Sequence, residues 1–326
     1  MERQRIFEPA PFAQCHAATL AATGRGLVAA WFSGTAEGEA DVGIWSATRQ
    51  GPAWSAPVRV VTGADAAGMP SPCWNPVLWS WPDGRLTLFY KVGPSPRDWW
   101  GMVMHSPDAG ASWGEPEPLP RGILGPIKNK PVLLEGGRLL CPSSGEDGDR
   151  GLGWSVHFEW TDDGGRRWER GRAIGGGEGC EIIQPAILGH GDGRLQALCR
   201  GRQGRIVETW SKDGGRRWSA PQATALPNPN SGIDAATLAD GRQLLVYNPT
   251  ISQRSPLALA LSSDGKSWRT VLTLESGEGE FSYPAIVAEG DDIHIAYTRK
   301  RETIVYVKLG VAEIAGVAPS EVSSGP

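Results

Sequence analysis

The 326-residue chain reads as an all-β fold of repeated four-stranded units closed into a ring. Three observations predict it. A turn motif recurs as SPDAGASW at 106–113, TDDGGRRW at 161–168, SKDGGRRW at 211–218 and, one residue shorter, SSDGKSW at 262–268, with a worn copy ending at Trp54. The motif tryptophans stand at 54, 113, 168, 218 and 268, so the spacing settles near 50, and a fixed period of that size marks a repeat architecture. Each copy also follows an apolar strand-like run, such as Val156–Trp160 or Leu257–Leu261.

The motif is turn chemistry. Ser, Thr and Asp side chains bond nearby backbone amides, Gly takes positive φ, and Trp supplies an apolar body beside the turn. Each copy is therefore read as the hairpin between the third and fourth strands of a unit. Six units follow in order. Their inner strands begin near His16, Pro76, Pro131, Pro185, Ala235 and Pro284, and Asp-Gly or Gly-Gly pairs at 83–84, 136–137, 192–193 and 240–241 join the first two strands of four of them. The sixth unit has only three strands, so the N-terminus near Arg5–Phe7 is expected to supply its outer strand and remove the open edge. Residues 1–311 read as one domain and 312–326 as a disordered tail.

Composition narrows the partners. Net charge is −4 and the pI about 5.8, which argues against nucleic acid as the main partner. Five cysteines without a Cys-x-x-Cys pair fit a reduced compartment better than a disulfide framework. No metal-ligand pattern, signal peptide or membrane-length apolar run is visible, so a cytoplasmic protein needing no cofactor or metal and no membrane is expected. Oligomeric state stays open.

In an antiparallel unit the start of the inner strand and the end of the second strand share one end. Six units would bring these positions around one axial funnel, opposite the motif turns. Inner-strand starts supply His16, Asn75, Lys130, Gln184 with Glu181, Asp234 and Tyr283. Second-strand ends supply Glu37 and Asp41, Lys91, Glu146, Arg200 and Arg202, Asn248 and Arg254, and Arg299 and Arg301. Several cations converging with Tyr and His suggest a pocket for a small anionic ligand.

The repeated Ser/Thr-x-Asp-x-Gly-x-x-Trp pattern resembles the Asp-box, or BNR, repeat of sialidase-like proteins, which implies a six-bladed β-propeller. Sialidases hold a substrate carboxylate with three arginines, attack with a tyrosine assisted by a glutamate, and use an aspartate as acid/base. The resemblance matches Tyr283 in EFSYPAI to the nucleophile, Arg200 in DGRLQALCR to the second arginine and Arg254 in the stretch before SSDG to the third. It matches Asp41 in EGEADVGI to the acid/base, with Glu37 as a near rival. Two positions depart. CHAATL puts His16 at the first arginine, and Gln184 stands at the activating glutamate, with Glu181 three residues earlier. A tyrosine with a reference pKa near 10 needs a base beside it to attack.

Three functions follow. One is a sialidase-like exo-glycosidase on a terminal acidic sugar. Another is a uronate-glycan lyase in which an arginine neutralises the carboxylate while His16 and Tyr283 move protons. The third is a glycan-binding propeller without turnover, to which Trp99 and Trp100 could add a stacking surface. Lys128 is a further candidate anion contact.

Overall fold

Each motif turn is a small hydrogen-bonded cage. In the second copy Ser106 Oγ donates to Asp108 Oδ1 at 2.8 Å, Ser112 N donates to the same oxygen at 2.8 Å, and Gly110 N donates to Ser106 Oγ at 2.7 Å. The copies at 161–168, 211–218 and 262–268 repeat it, and their Trp Nε1 atoms donate to Gly165 O, Gly215 O and Gly265 O. The tryptophan then packs on the preceding unit. Trp218 stacks on Phe158 with ring centroids 3.8 Å apart, Trp168 meets Phe89 edge-on at 6.1 Å, and Trp54 meets Tyr306 at 5.3 Å. The motif therefore recurs because it is the joint between neighbours.

The computed structural model describes residues 1–146, 153–177 and 179–315. They form six antiparallel sheets arranged as a six-bladed β-propeller. The inner strands are Gln14–Thr23, Cys73–Ser80, Val132–Leu133, Ile182–Gly189, Asp234–Thr237 and Phe281–Glu289. Val, Leu, Ile and aromatic side chains from facing sheets fill the space between blades, in clusters such as Leu244, Leu259, Ile286 and Ile295 between the fifth and sixth.

The last blade closes as expected, with a shift in position. The outer strand is Glu2–Arg5, paired from Glu2↔Lys308 to Arg5↔Val305, and Ile6 N continues the ladder to Ile304 O at 2.9 Å. Phe7 lies beyond the strand in the aromatic cluster with Phe12 and Trp31. The start of the expected tail is helical. Val311–Ala315 is a short helix whose Ile314 is buried against the fifth and sixth blades, and the rest of the expected tail lies outside the described residues. No helix among the described residues is long and apolar enough to cross a membrane, and the five cysteines are unpaired.

Four inner strands share an irregularity that aims side chains at the axis. Register shifts fall at His16/Thr19, Trp74/Val77, Ile183/Ala186 and Ser282/Ala285. Inside each, one non-glycine residue takes positive φ: Ala17 at 56°, Asn75 at 38°, Gln184 at 54° and Tyr283 at 50°. Such bulges insert one residue into a strand and redirect a side chain, and non-glycine residues rarely hold this conformation unless their surroundings enforce it.

Candidate active site

The bulges open onto a cavity of about 230 Å³ at the mouth of the axis. Its lining includes His16, Glu37, Asn75, Glu146, Gln184, Arg200, Arg254, Tyr283 and Arg301, with Trp74, Pro96 and Trp99 as apolar wall.

Tyr283 is the centre of the hydrogen bonding. Its phenol oxygen accepts from Arg200 Nη1 at 2.9 Å and from Gln184 Nε2 at 3.2 Å. Arg200 is fixed from three sides. Its Nε donates to Asn230 Oδ1 at 2.7 Å, its Nη1 also reaches Gln184 Oε1 at 3.3 Å, and its guanidinium lies 5.4 Å from the Trp154 ring centre. Arg254 and Lys128 stand 5.8 Å and 5.9 Å from the centre of the Tyr283 ring.

A third arginine comes from the sixth blade. The strand Asp292–Arg299 ends in a tight turn where Lys300 and Arg301 take φ of 54° and 58°. Glu280 ties the pair together: Arg254 Nη1 donates to its Oε1 at 2.8 Å and Arg301 Nε to its Oε2 at 3.3 Å. Arg301 Nη1 also donates to Glu37. Arg200, Arg254 and Arg301 thus face one small cavity.

His16 is buried, with Nδ1 3.1 Å from Thr298 Oγ1 and its ring 4.2 Å from that of Tyr283. Burial, followed by the charges of Arg301, Arg254, Arg200 and Lys128, pushes its pKa well below the ordinary value, so the imidazole is neutral at neutral pH. Glu146 is shifted the other way. Burial raises its pKa above the usual carboxylate value, and Glu37 adds to the effect, against the pull of Arg200, Arg202 and Arg97.

Several expected residues lie elsewhere. Asp41 does not line the cavity; its Oδ2 accepts from Thr35 N at 2.9 Å and Thr35 Oγ1 at 2.8 Å, clamping the base of the loop whose tip carries Glu37. Glu181 faces Arg202 Nη1 at 3.4 Å on the rim, while Arg202 lies 3.9 Å over Trp154. Neither lines the cavity.

Arg299 turns outward to Glu275 at 3.6 Å, because the chain reverses only after it. Lys91, Lys130, Asp234 and Asn248 point into the body of the ring. Lys91 Nζ donates to Pro126 O, and Lys130 Nζ sits 3.1 Å from both oxygens of Asp234. Asn248 Nδ2 donates to Pro256 O at 2.8 Å and to Phe281 O at 2.9 Å. Lys128 is likewise buried, donating to Asn129 Oδ1, Ile233 O and Pro284 O. These strand-end positions were right in register, but their side chains satisfy buried carbonyls and carboxylates rather than the mouth. Trp99 forms part of the cavity wall, whereas Trp100 packs on the first- and second-blade core.

Sequence reasoning gave no role to Glu280 or Asn230. A signal for Glu280 existed in its place three residues before Tyr283; Asn230, in a Pro/Asn/Ser turn, offered none.

The fold and the cavity define a six-bladed propeller with an arginine- and tyrosine-bearing axial site. The chain belongs to the BNR repeat-like domain family, whose profile matches residues 24–295. It is similar to solved structures across the whole ring. A protein of unknown function from Dyadobacter fermentans is 17% identical with a TM-score of 0.78, covering 95% of this chain and 98% of that one. The Hadza microbial sialidase Hz136 is 16% identical with a TM-score of 0.77, covering 93% and 67%. The intramolecular trans-sialidase from Ruminococcus gnavus, solved with oseltamivir carboxylate, is 13% identical with a TM-score of 0.75, covering 97% and 98%. No curated protein matches the chain in sequence.

Proposed function

We propose that the protein is a sialidase-like exo-glycosidase that hydrolyses a terminal acidic sugar from a glycan. One observation carries the reading: three arginines from three blades and the Tyr283 hydroxyl face a single cavity of about 230 Å³. That volume is below the roughly 300–1,000 Å³ of drug-sized sites and suits one sugar ring. Arg200, Arg254 and Arg301 hold the substrate carboxylate by charge-assisted hydrogen bonds. Tyr283 oxygen bonds to the anomeric carbon as the glycosidic bond breaks, and its proton leaves to water. A neutral nucleophile avoids the repulsion that a carboxylate would meet at an anionic sugar. Glu146, whose carboxyl pKa is raised by burial, gives its proton to the leaving oxygen. Water then attacks the glycosyl-tyrosine, Glu146 takes a proton from it, and the released phenolate is reprotonated from solvent. Glu37, paired with Arg301, holds that arginine in the cavity.

The test is a panel of aryl glycosides and acidic glycans with mass detection of products. A saturated free acid sugar is expected, with turnover lost in Tyr283→Phe while the thermal unfolding curve is retained. Unchanged turnover in that variant removes the assignment. A second reading, β-elimination on a uronate, is favoured by the 4.2 Å ring contact of His16 with Tyr283 and by an amide, not a carboxylate, beside the tyrosine. Its signature is an unsaturated, UV-absorbing product. Binding without any product would leave a glycan-binding propeller.

A further inference from the structure

A second cavity, of about 450 Å³, adjoins the axial one: Pro96 and Trp99 line both, and Gly145 lines the second where its neighbour Glu146 lines the first. Arg121 and Arg170 contribute to it together with Trp99 and Trp100. Arg170 Nη1 donates to Gly122 O at 3.1 Å, which anchors one cation on the loop that carries Arg121. The cavity lies between the second and third blades. In a ring of six, the third blade is opposite the sixth, which supplies Tyr283. Displacement at an anomeric carbon sends the leaving group away from the entering nucleophile, and here that direction leads past Glu146 and over the Pro96–Trp99 lip.

We infer that this second cavity is a leaving-group subsite for a sugar bearing an anionic group, so that the preferred substrate is a glycan acidic at two successive residues. The inference rests on the exo-glycosidase reading for its direction. It stands on the contiguity of the two cavities and on the charge and aromatic character of the second. Arg121 and Arg170 supply the anion contacts and Trp99 offers a face to the sugar ring.

Binding tests the subsite without requiring turnover. 4-Nitrophenyl β-D-galactopyranoside 6-sulfate and its unsulfated parent are titrated into the full chain by calorimetry. The sulfated probe should bind at least tenfold more tightly. The advantage should disappear in the Arg121→Ala/Arg170→Ala double variant, both positions being exposed, and survive in Arg254→Ala. Equal or undetectable binding of the two probes overturns the inference. So does a sulfate advantage that falls further in Arg254→Ala than in the double variant, because the probe would then occupy the axial cavity. Hydrolysis of acidic aryl glycosides without a sulfate advantage would sink the subsite and leave the exo-glycosidase reading standing. A sulfate advantage without hydrolysis would sink the exo-glycosidase reading and with it the leaving-group role, leaving an anion-binding cavity.

Discussion

Gln184 occupies the place from which a base would activate Tyr283, and its amide can orient the phenol but cannot take its proton. Its Nε2 lies 3.2 Å from the Tyr283 oxygen, so a carboxylate of the same length would reach it. Gln184→Glu is therefore expected to raise kcat on aryl glycosides by roughly tenfold or more, within the range of general-base contributions; a fall in rate with the fold intact would show that the amide's donor role matters more. Glu146 makes a prediction in pH. Its raised pKa keeps the acid form present to higher pH than for a free glutamate. Turnover of substrates with poor leaving groups should decline as pH rises through that value, and Glu146→Gln should remove this limb while sparing activated aryl substrates. A pH–rate profile with each substrate class decides it. At this scale the sequence was partly readable. Tyr283, Arg200, Arg254, Gln184 and His16 share the cavity because each lies at or beside a strand end whose register the repeat specifies. Asp41 and Arg299 were misplaced because a clamped loop and a positive-φ turn decide which carboxylate and which arginine point inward, and neither leaves a periodic trace.

The motif turn is a caging element and a joint at once, and both roles can be measured. Asp108 and Asp264 have pKa values held down to about 2, the first chiefly by the Ser112 hydroxyl and the second chiefly by the Ser267 amide. An aspartate in an unfolded chain titrates near 3.9, so the unfolded state binds protons first as pH falls. The stabilisation from these turns is thus complete above about pH 4 and lost towards about pH 2. Replacing Asp264 by Asn should flatten the acid limb of the thermal-unfolding temperature over that window. Trp218→Ala removes the 3.8 Å stack on Phe158 and should cost about 2–4 kcal/mol in a urea titration, somewhat less than a fully buried tryptophan loses because the ring is only partly buried. A loss under 0.5 kcal/mol would mean that the blades are held together without it. These elements were the most readable part of the chain, since turn chemistry and the 50-residue period are both local. The inner-strand bulges were not, because Asn75-Pro76, Gln184-Pro185 and Tyr283-Pro284 read as strand starts, and the extra residue shows only against a partner strand.

For the whole molecule the decisive pairing is that of Glu2–Arg5 with the final long strand, Thr303–Gly310. Arg3 reinforces it, with Nη2 2.6 Å from Glu275 and 2.5 Å from the Tyr297 hydroxyl oxygen. Removing residues 1–5 should expose a hydrophobic edge, lower the unfolding temperature and promote association detectable by light scattering; a monomer as stable as the full chain would show that the ring holds without its clasp. Closure was predictable from the strand count of the sixth unit, although its position came out slightly early in the chain because the aromatic Phe7 belongs to the next cluster. The clasp also sets a timetable for biosynthesis. Arg5 leaves the ribosome about 300 residues before its partner Val305, a delay of roughly 15–60 s at typical translation speeds. Throughout it that strand has no sheet to join, and the six blades can be locked only once Thr303–Gly310 has emerged.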